Sequence, residues 1–187
     1  MIKKLTPEEE QELVEKAKES LAAFGKLYEY YLPKIYGYIL NRVGSKEVAE
    51  DIAAETFIKA MKKIDQFEFR GFSFGSWLYR IAHNTICDYQ RRNRPVALLN
   101  DGQVGCESFE ESTLKRIDLN CKIQAVFQGL KDDYQEVLSL KFFEDLDNGE
   151  IARIVGLKPN NLNVKLHRSI KAFQKEYYRL YGEEAIL

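Results

Sequence analysis

Residues Phe67–Pro95 read FEFRGFSFGSWLYRIAHNTICDYQRRNRP, and the change of pattern inside this stretch decides how the chain is built. Phe67, Phe69, Phe72 and Phe74 alternate with Arg70, Gly71, Ser73 and Gly75, a density of glycine and serine that breaks helices. A loop carrying aromatic rings is expected there. From Ser76 the spacing becomes helical: Leu78, Ile81, Ala82, Thr85, Ile86 and Tyr89 share one face, with Trp77 on its border. The opposite face holds Ser76, Arg80, His83, Asn84, Cys87 and Arg91, and the helix runs out into Arg92 and Arg94 before Pro95. Rings stack on unpaired bases and guanidinium groups follow phosphates, so these parts suit single-stranded nucleic acid. A surface helix with solvated arginines and inward-turned phenylalanines fits the same stretch. Taken alone, it leaves both readings open.

The 187 residues allow one large or two small domains. A net charge of −1 argues against coating nucleic acid through bulk charge, while leaving room for local basic patches. Cys87, Cys106 and Cys121 are odd in number and lack CxxC spacing, which points to free thiols in a reducing compartment. The N-terminal lysines are followed by no apolar run, and no segment approaches the roughly 20 apolar residues a bilayer span needs. A cytoplasmic protein is expected.

Thr6-Pro7-Glu8-Glu9 has the form of a helix start, with Thr6 as N-cap and Pro7 in the first helical position. Leu13, Val14, Ala17 and Leu21 continue that helix. A second periodic run covers Phe24 to Val43, with Pro33 expected as a kink or boundary and Gly44-Ser45 as the turn. The next helix, about Lys46 to Ile64, buries Val48, Ile52, Ala53, Thr56, Ala60 and Ile64. Its far side carries Asp51, Glu55, Ile58 and Lys62. An isoleucine among charges can mark a docking stripe, yet single exposed isoleucines are ordinary, and the residues alone favour the ordinary reading.

Beyond Pro95, Val96 to Asp118 is net acidic, contains Asn100-Asp101-Gly102, and lacks sustained periodicity; it reads as a linker. Ile123, Val126, Phe127 and Leu130, then Tyr134 to Phe142, suggest further helices. From Ile151 to Lys175 there are Arg153, Lys158, Lys165, Arg168, Lys171 and Lys175 without an acid, the pattern of an anion-facing surface. Overlapping its start, Glu150 to Leu157 reads as a short helix ending at Gly156, and Lys158-Pro159 starts another. This is helix-turn-helix spacing. Leu162, Leu166, Ile170 and Phe173 are expected to be buried on the second helix. Asn160, Asn161, Val164, His167, Arg168 and Lys171 face away; amides pair with adenine, aliphatic groups touch thymine methyls, and the cations take phosphate or guanine.

With both halves read, the chain resembles the extracytoplasmic-function (ECF) sigma factors of the sigma-70 family, from about Leu13 to Tyr178. The resemblance rests on Phe24-x-x-Leu27-Tyr28, Ala49-Glu50-Asp51-Ile52, Glu55-Thr56-Phe57, Trp77-Leu78-Tyr79-Arg80-Ile81-Ala82, Asn84, Asp88 and Arg91-Arg92. Glu150-Ile151-Ala152 and Leu166-His167-Arg168 continue it in the second half. It implies an all-α protein of two small helical domains joined by a flexible linker: residues 1–95, the linker 96–118, and 119–187 with the helix-turn-helix. It also implies that Asp51, Glu55, Ile58 and Lys62 dock on the clamp helices of RNA polymerase core, with the flap a second contact. Phe69, Arg70, Phe72, Ser73, Phe74, Arg80, Asn84 and Arg91 would hold the melted −10 strand. Asn160, Asn161, Val164, His167, Arg168 and Lys171 would read the −35 duplex. Trp77 and Phe67 should anchor the fold. An anti-sigma factor is an expected partner; no membrane insertion, cofactor or catalytic activity is implied.

The chain departs from the family pattern at Lys158, where Ser or Thr commonly caps the recognition helix, and at Asn163 and Ile170, where cations are usual. Fewer phosphate contacts predict a shallower salt dependence or a weaker −35 contribution. His83 and Cys87, at i and i+4, have a zinc-compatible spacing, but two ligands do not make a site. A helix-turn-helix repressor would leave the aromatic loop and docking stripe without a role. A helical adaptor would not account for the acid-free basic block.

Overall fold

The computed structural model describes residues 5–92, 122–144 and 146–182. The expected linker, with Arg94, Pro95, Cys106 and Cys121, and the acidic Asp145 lie outside the described residues. Among the described residues every regular element is helical: α1 Pro7–Glu19, α2 Leu21–Val43, α3 Lys46–Lys63, a 3-10 turn Ile64–Gln66, and α4 Phe74–Arg92. A helical run at 122–128, α5, is followed by α6 Asp132–Phe142, α7 Asn148–Ile154 and α8 Pro159–Tyr181. The chain divides into two compact units, Met1–Leu98 with Gly149–Leu157, and Leu99–Asn148 with Lys158–Leu187.

Local capping chemistry sets the helix boundaries of the first unit. Thr6 and Glu9 form a reciprocal capping box on α1, with Pro7 in its first turn. Ser20 ends α1 and starts α2, where its hydroxyl accepts from the Ala23 N–H at 3.4 Å. Ser45 caps α3 in the same way through the Val48 N–H, as its position predicted. Of the two alternatives expected at Pro33, the boundary is absent: α2 continues through it, and the periodic run from Phe24 to Val43 belongs to one helix. α1, α2, α3 and α4 pack into a bundle whose core holds Val14, Leu27, Ile35, Ile39, Ala49, Leu78 and Ala82, all closed to solvent. Tyr38 and Tyr79 meet edge-to-face inside it, with centroids 5.4 Å apart. Ala49 and Phe57 join Ile52, Ala53, Thr56 and Ala60 on the buried side of α3, whereas Val48 is half-buried.

In the second unit α6 packs against α8. Leu162 and Leu166 are buried on α8 as expected, but Ile170 is 38% exposed and Ser169 takes the buried position instead. The geometry of the helix explains this. Ser169 lies at i+7 from Leu162, almost directly beneath it, while Ile170 at i+8 falls on the flank. Ser169 is tolerated inside because its hydroxyl donates to the Lys165 carbonyl one turn back, at 2.9 Å. Tyr177 is buried towards the end of the same helix.

Candidate nucleic-acid interface

The aromatic loop is organised around Phe67. It is 2% exposed and meets Phe69 at 4.8 Å, Trp77 at 5.1 Å, Phe74 at 5.5 Å and Phe72 at 6.3 Å between ring centroids. Phe74, expected to line the base pocket, is 1% exposed and packs on Tyr31 and Trp77. It is a core residue supporting the loop from beneath. Phe69 and Phe72 are half-buried, and Arg70 is exposed, pairing locally with Glu68 at 2.6 Å. Gly71, at φ +74°, provides the left-handed turn that brings Phe72 and Ser73 back towards α4.

Ser73 is the N-cap of α4, its hydroxyl accepting from the Ser76 N–H at 3.1 Å. Its O–H and N–H both point at the carboxylate of Glu150, at 2.7 and 3.4 Å. Arg153 places its guanidinium 4.8 Å from the Phe72 ring centroid and donates to the Gly71 carbonyl at 3.2 Å. Glu150 and Arg153 belong to the 149–157 segment of this same unit. In sequence they read only as part of the helix-turn-helix, and no local signal ties them to the loop.

Along α4, Arg80, Asn84 and Arg91 are exposed, and Arg91 lies 3.4 Å from Asp88. Ser76, placed by periodicity on this outer face, is buried, with its hydroxyl donating to the Ser73 carbonyl at 3.0 Å. His83 Nε2 and Cys87 Sγ approach to 3.6 Å, and no group of three metal-binding side chains forms among the described residues.

On α3, Asp51, Ile58 and Lys62 are exposed and Glu55 is half-buried, held by Lys59 at 2.7 Å. Ile58 is 47% exposed. Met61, one turn further on, and Tyr28 of α2, edge-on to Phe57 at 4.8 Å, widen this apolar exposure. Met61 lies at i+3 from Ile58, and that spacing was the available signal for it. Among the described residues no helix is long and apolar enough to cross a membrane.

In the helix-turn-helix segment, Gly156 adopts φ +69° and the Leu157 N–H reaches the Ala152 carbonyl at 2.8 Å, a Schellman closure of α7. α8 starts at Pro159 with Lys158 at its N-cap and no capping side-chain bond. Asn160, Asn161, Val164, His167, Arg168 and Lys171 are all exposed on α8. Lys165, on the flank, is tied to Asp133 of α6 at 3.1 Å.

Residues 27–96 match the family model for sigma-70 region 2, and residues 122–173 match that for sigma-70 region 4. The ECF RNA polymerase sigma factor SigW of Bacillus subtilis is 31% identical over 166 residues, which cover 82% of this chain and 88% of SigW. The RNA polymerase sigma factor YlaC of the same organism is 32% identical, over 86% of this chain and 95% of YlaC. The ECF sigma factor BldN of Streptomyces coelicolor is 33% identical over 88% of this chain, which spans 64% of the length of BldN. Among solved structures, the sigma factor RpoE of Bartonella quintana, in complex with the anti-sigma factor NepR, has a TM-score of 0.67 at 18% identity. That match covers 82% of this chain and 95% of RpoE. CnrH, in complex with the cytosolic domain of CnrY, has a TM-score of 0.66 at 18% identity, over 89% of this chain and 95% of CnrH. With both sigma-70 regions matched in order, the chain belongs to the ECF sigma factors of the sigma-70 family, which direct bacterial RNA polymerase to promoters.

Proposed function

We propose that residues 1–95 bind core polymerase and capture the melted −10 strand, and that residues 119–187 read the −35 duplex, the two being joined by 96–118. Asp51, Glu55, Ile58 and Lys62 dock on the clamp helices of the largest subunit, where the exposed apolar surface of Ile58 supplies the dry centre of the contact. The polymerase flap is a second contact. Phe69, Arg70, Phe72 and Ser73 meet the unstacked base, and Arg80, Asn84 and Arg91 follow the strand along α4. Asn160, Asn161, Val164, His167, Arg168 and Lys171 enter the major groove.

The observation that carries the −10 assignment is the pairing of Phe72 with Ser73. A planar cation already lies over the Phe72 ring, and the N–H and O–H of Ser73 already converge on one acceptor. A flipped base needs the same two provisions, a ring face and donors at its edge. Strand capture offsets the lost base stacking, so opening needs neither cofactor nor ATP, and the phosphodiester chemistry belongs to the polymerase. The chain works in the cytoplasm, and an anti-sigma factor is the regulatory partner proposed for these surfaces.

The test compares holoenzymes carrying the wild-type chain and Phe72→Ala. Permanganate reactivity of melted thymines should fall about tenfold or more, since one base stack is worth roughly 1–3 kcal/mol. Core affinity should be unchanged. Unaltered opening, or an unfolded protein, contradicts the assignment.

A further inference from the structure

The start of α4 is where the aromatic loop joins the bundle, and its backbone donors need partners. The first N–H groups of a helix have no intrahelical acceptor. Ser73 serves the third position through its hydroxyl, and the Trp77 N–H reaches the Ser73 carbonyl at 3.3 Å. Phe74 and Gly75 are buried, so water cannot serve theirs. Their partner comes from 64 residues earlier in the chain: the Phe74 N–H donates to Glu10 Oε2 at 3.2 Å and the Gly75 N–H to Glu10 Oε1 at 3.4 Å. The Tyr31 hydroxyl also donates to Oε1.

Glu10 is 7% exposed, so its carboxylate is a buried group satisfied by three donors and by the positive end of α4. Gly75 permits this arrangement, because a Cβ there would stand 3.0 Å from the Tyr31 ring. Residue 10 lies ahead of the 27–96 match to region 2.

We propose that Glu10 is a positioning residue for promoter opening: from α1 it fixes the first turn of α4, and through it the Phe72–Ser73 edge that receives the base. The inference rests on the −10 reading given above. Exchange of the carboxylate for an amide separates this role from bulk packing. A glutamine keeps the shape but has one acceptor oxygen, so whichever way it turns, the Phe74 or the Gly75 N–H is left without a partner.

The experiment uses holoenzyme carrying Glu10→Gln, Glu10→Asp or Phe72→Ala. The probe is a short fluorescein-labelled single strand with the non-template −10 sequence of a promoter on which the wild-type holoenzyme initiates. For Glu10→Gln, single-strand affinity should fall by up to about tenfold, because an unpaired donor loosens the first turn of α4 and strand binding must then re-order it. Affinity for core should stay within about twofold. Amide hydrogen exchange should quicken at Phe74 and Gly75. Glu10→Asp, which keeps the charge but withdraws it by one methylene, should show the same split if Glu10→Gln does not fold. Wild-type single-strand affinity in a folded Glu10 variant, with affinity lost in Phe72→Ala, overturns the role of Glu10 alone. Unchanged affinity in all three variants overturns the −10 reading and the inference with it.

Discussion

Phe67, Phe69, Phe72 and Phe74 look alike in sequence, and their roles separate only through what surrounds them. Phe67 and Phe74 are closed off among Tyr31 and Trp77, whereas Phe69 and Phe72 keep part of their surface. Phe74→Ala should therefore cost about 3–5 kcal/mol, the range for a large aromatic removed from a core, and thermal unfolding will show it. Phe72→Ala should leave the melting temperature close to wild type. Equal losses at the two positions would contradict this division. Glu10 illustrates what local pattern does not carry. Among Glu8, Glu9 and Glu10 it reads as one more acid in a first turn, and only the approach of α4 and Tyr31 gives it its partners. The same enclosure acts on Tyr31: burial first, then the charge of Glu10, pushes its hydroxyl well above the usual tyrosine range, so it remains a donor.

Helix boundaries and faces were the most legible features, because caps and the 3.6-residue period are local physics. Thr6, Ser45 and the Gly156 turn stand where their side chains or dihedrals require. The six outward positions of α8, from Asn160 to Lys171, are likewise exposed as their spacing implied. The misplacements arose where a residue acts against its type. Ser76 and Ser169 are polar yet buried, because each hydroxyl finds a backbone carbonyl nearby. Ile170, one position further on, falls on the flank of the helix. The missing cap at Lys158 gives an element-scale prediction. Lys158→Ser supplies the oxygen that the α8 N-terminus lacks and should stabilise the fold by about 1 kcal/mol, measured by denaturant unfolding. No gain, with a folded protein, would mean that backbone geometry at Lys158 already satisfies those N–H groups by another route.

At the scale of the whole molecule, the overall charge of −1 says little, because the functional charge is segregated by element. The acid-free run from Ile151 to Lys175 takes in α8 as far as Lys175, while the exposed stripe on α3 mixes acids with Ile58. Family membership, two-region order and the helical class were readable from short motifs in a fixed sequence order. The contacts of Glu150 and Arg153 with the loop were not, since they depend on how distant segments meet. If α8 reads the −35 duplex as proposed, Asn163 and Ile170 in place of cations predict fewer phosphate contacts, and exposed Val164, Asn160 and Asn161 predict a lean towards A·T pairs. The most direct test adds the full chain to purified core polymerase and a promoter library, then sequences the transcript starts. Starts are expected downstream of a shared −10 element paired with an A·T-leaning −35 element. Transcript starts no different from those of core polymerase alone would contradict it.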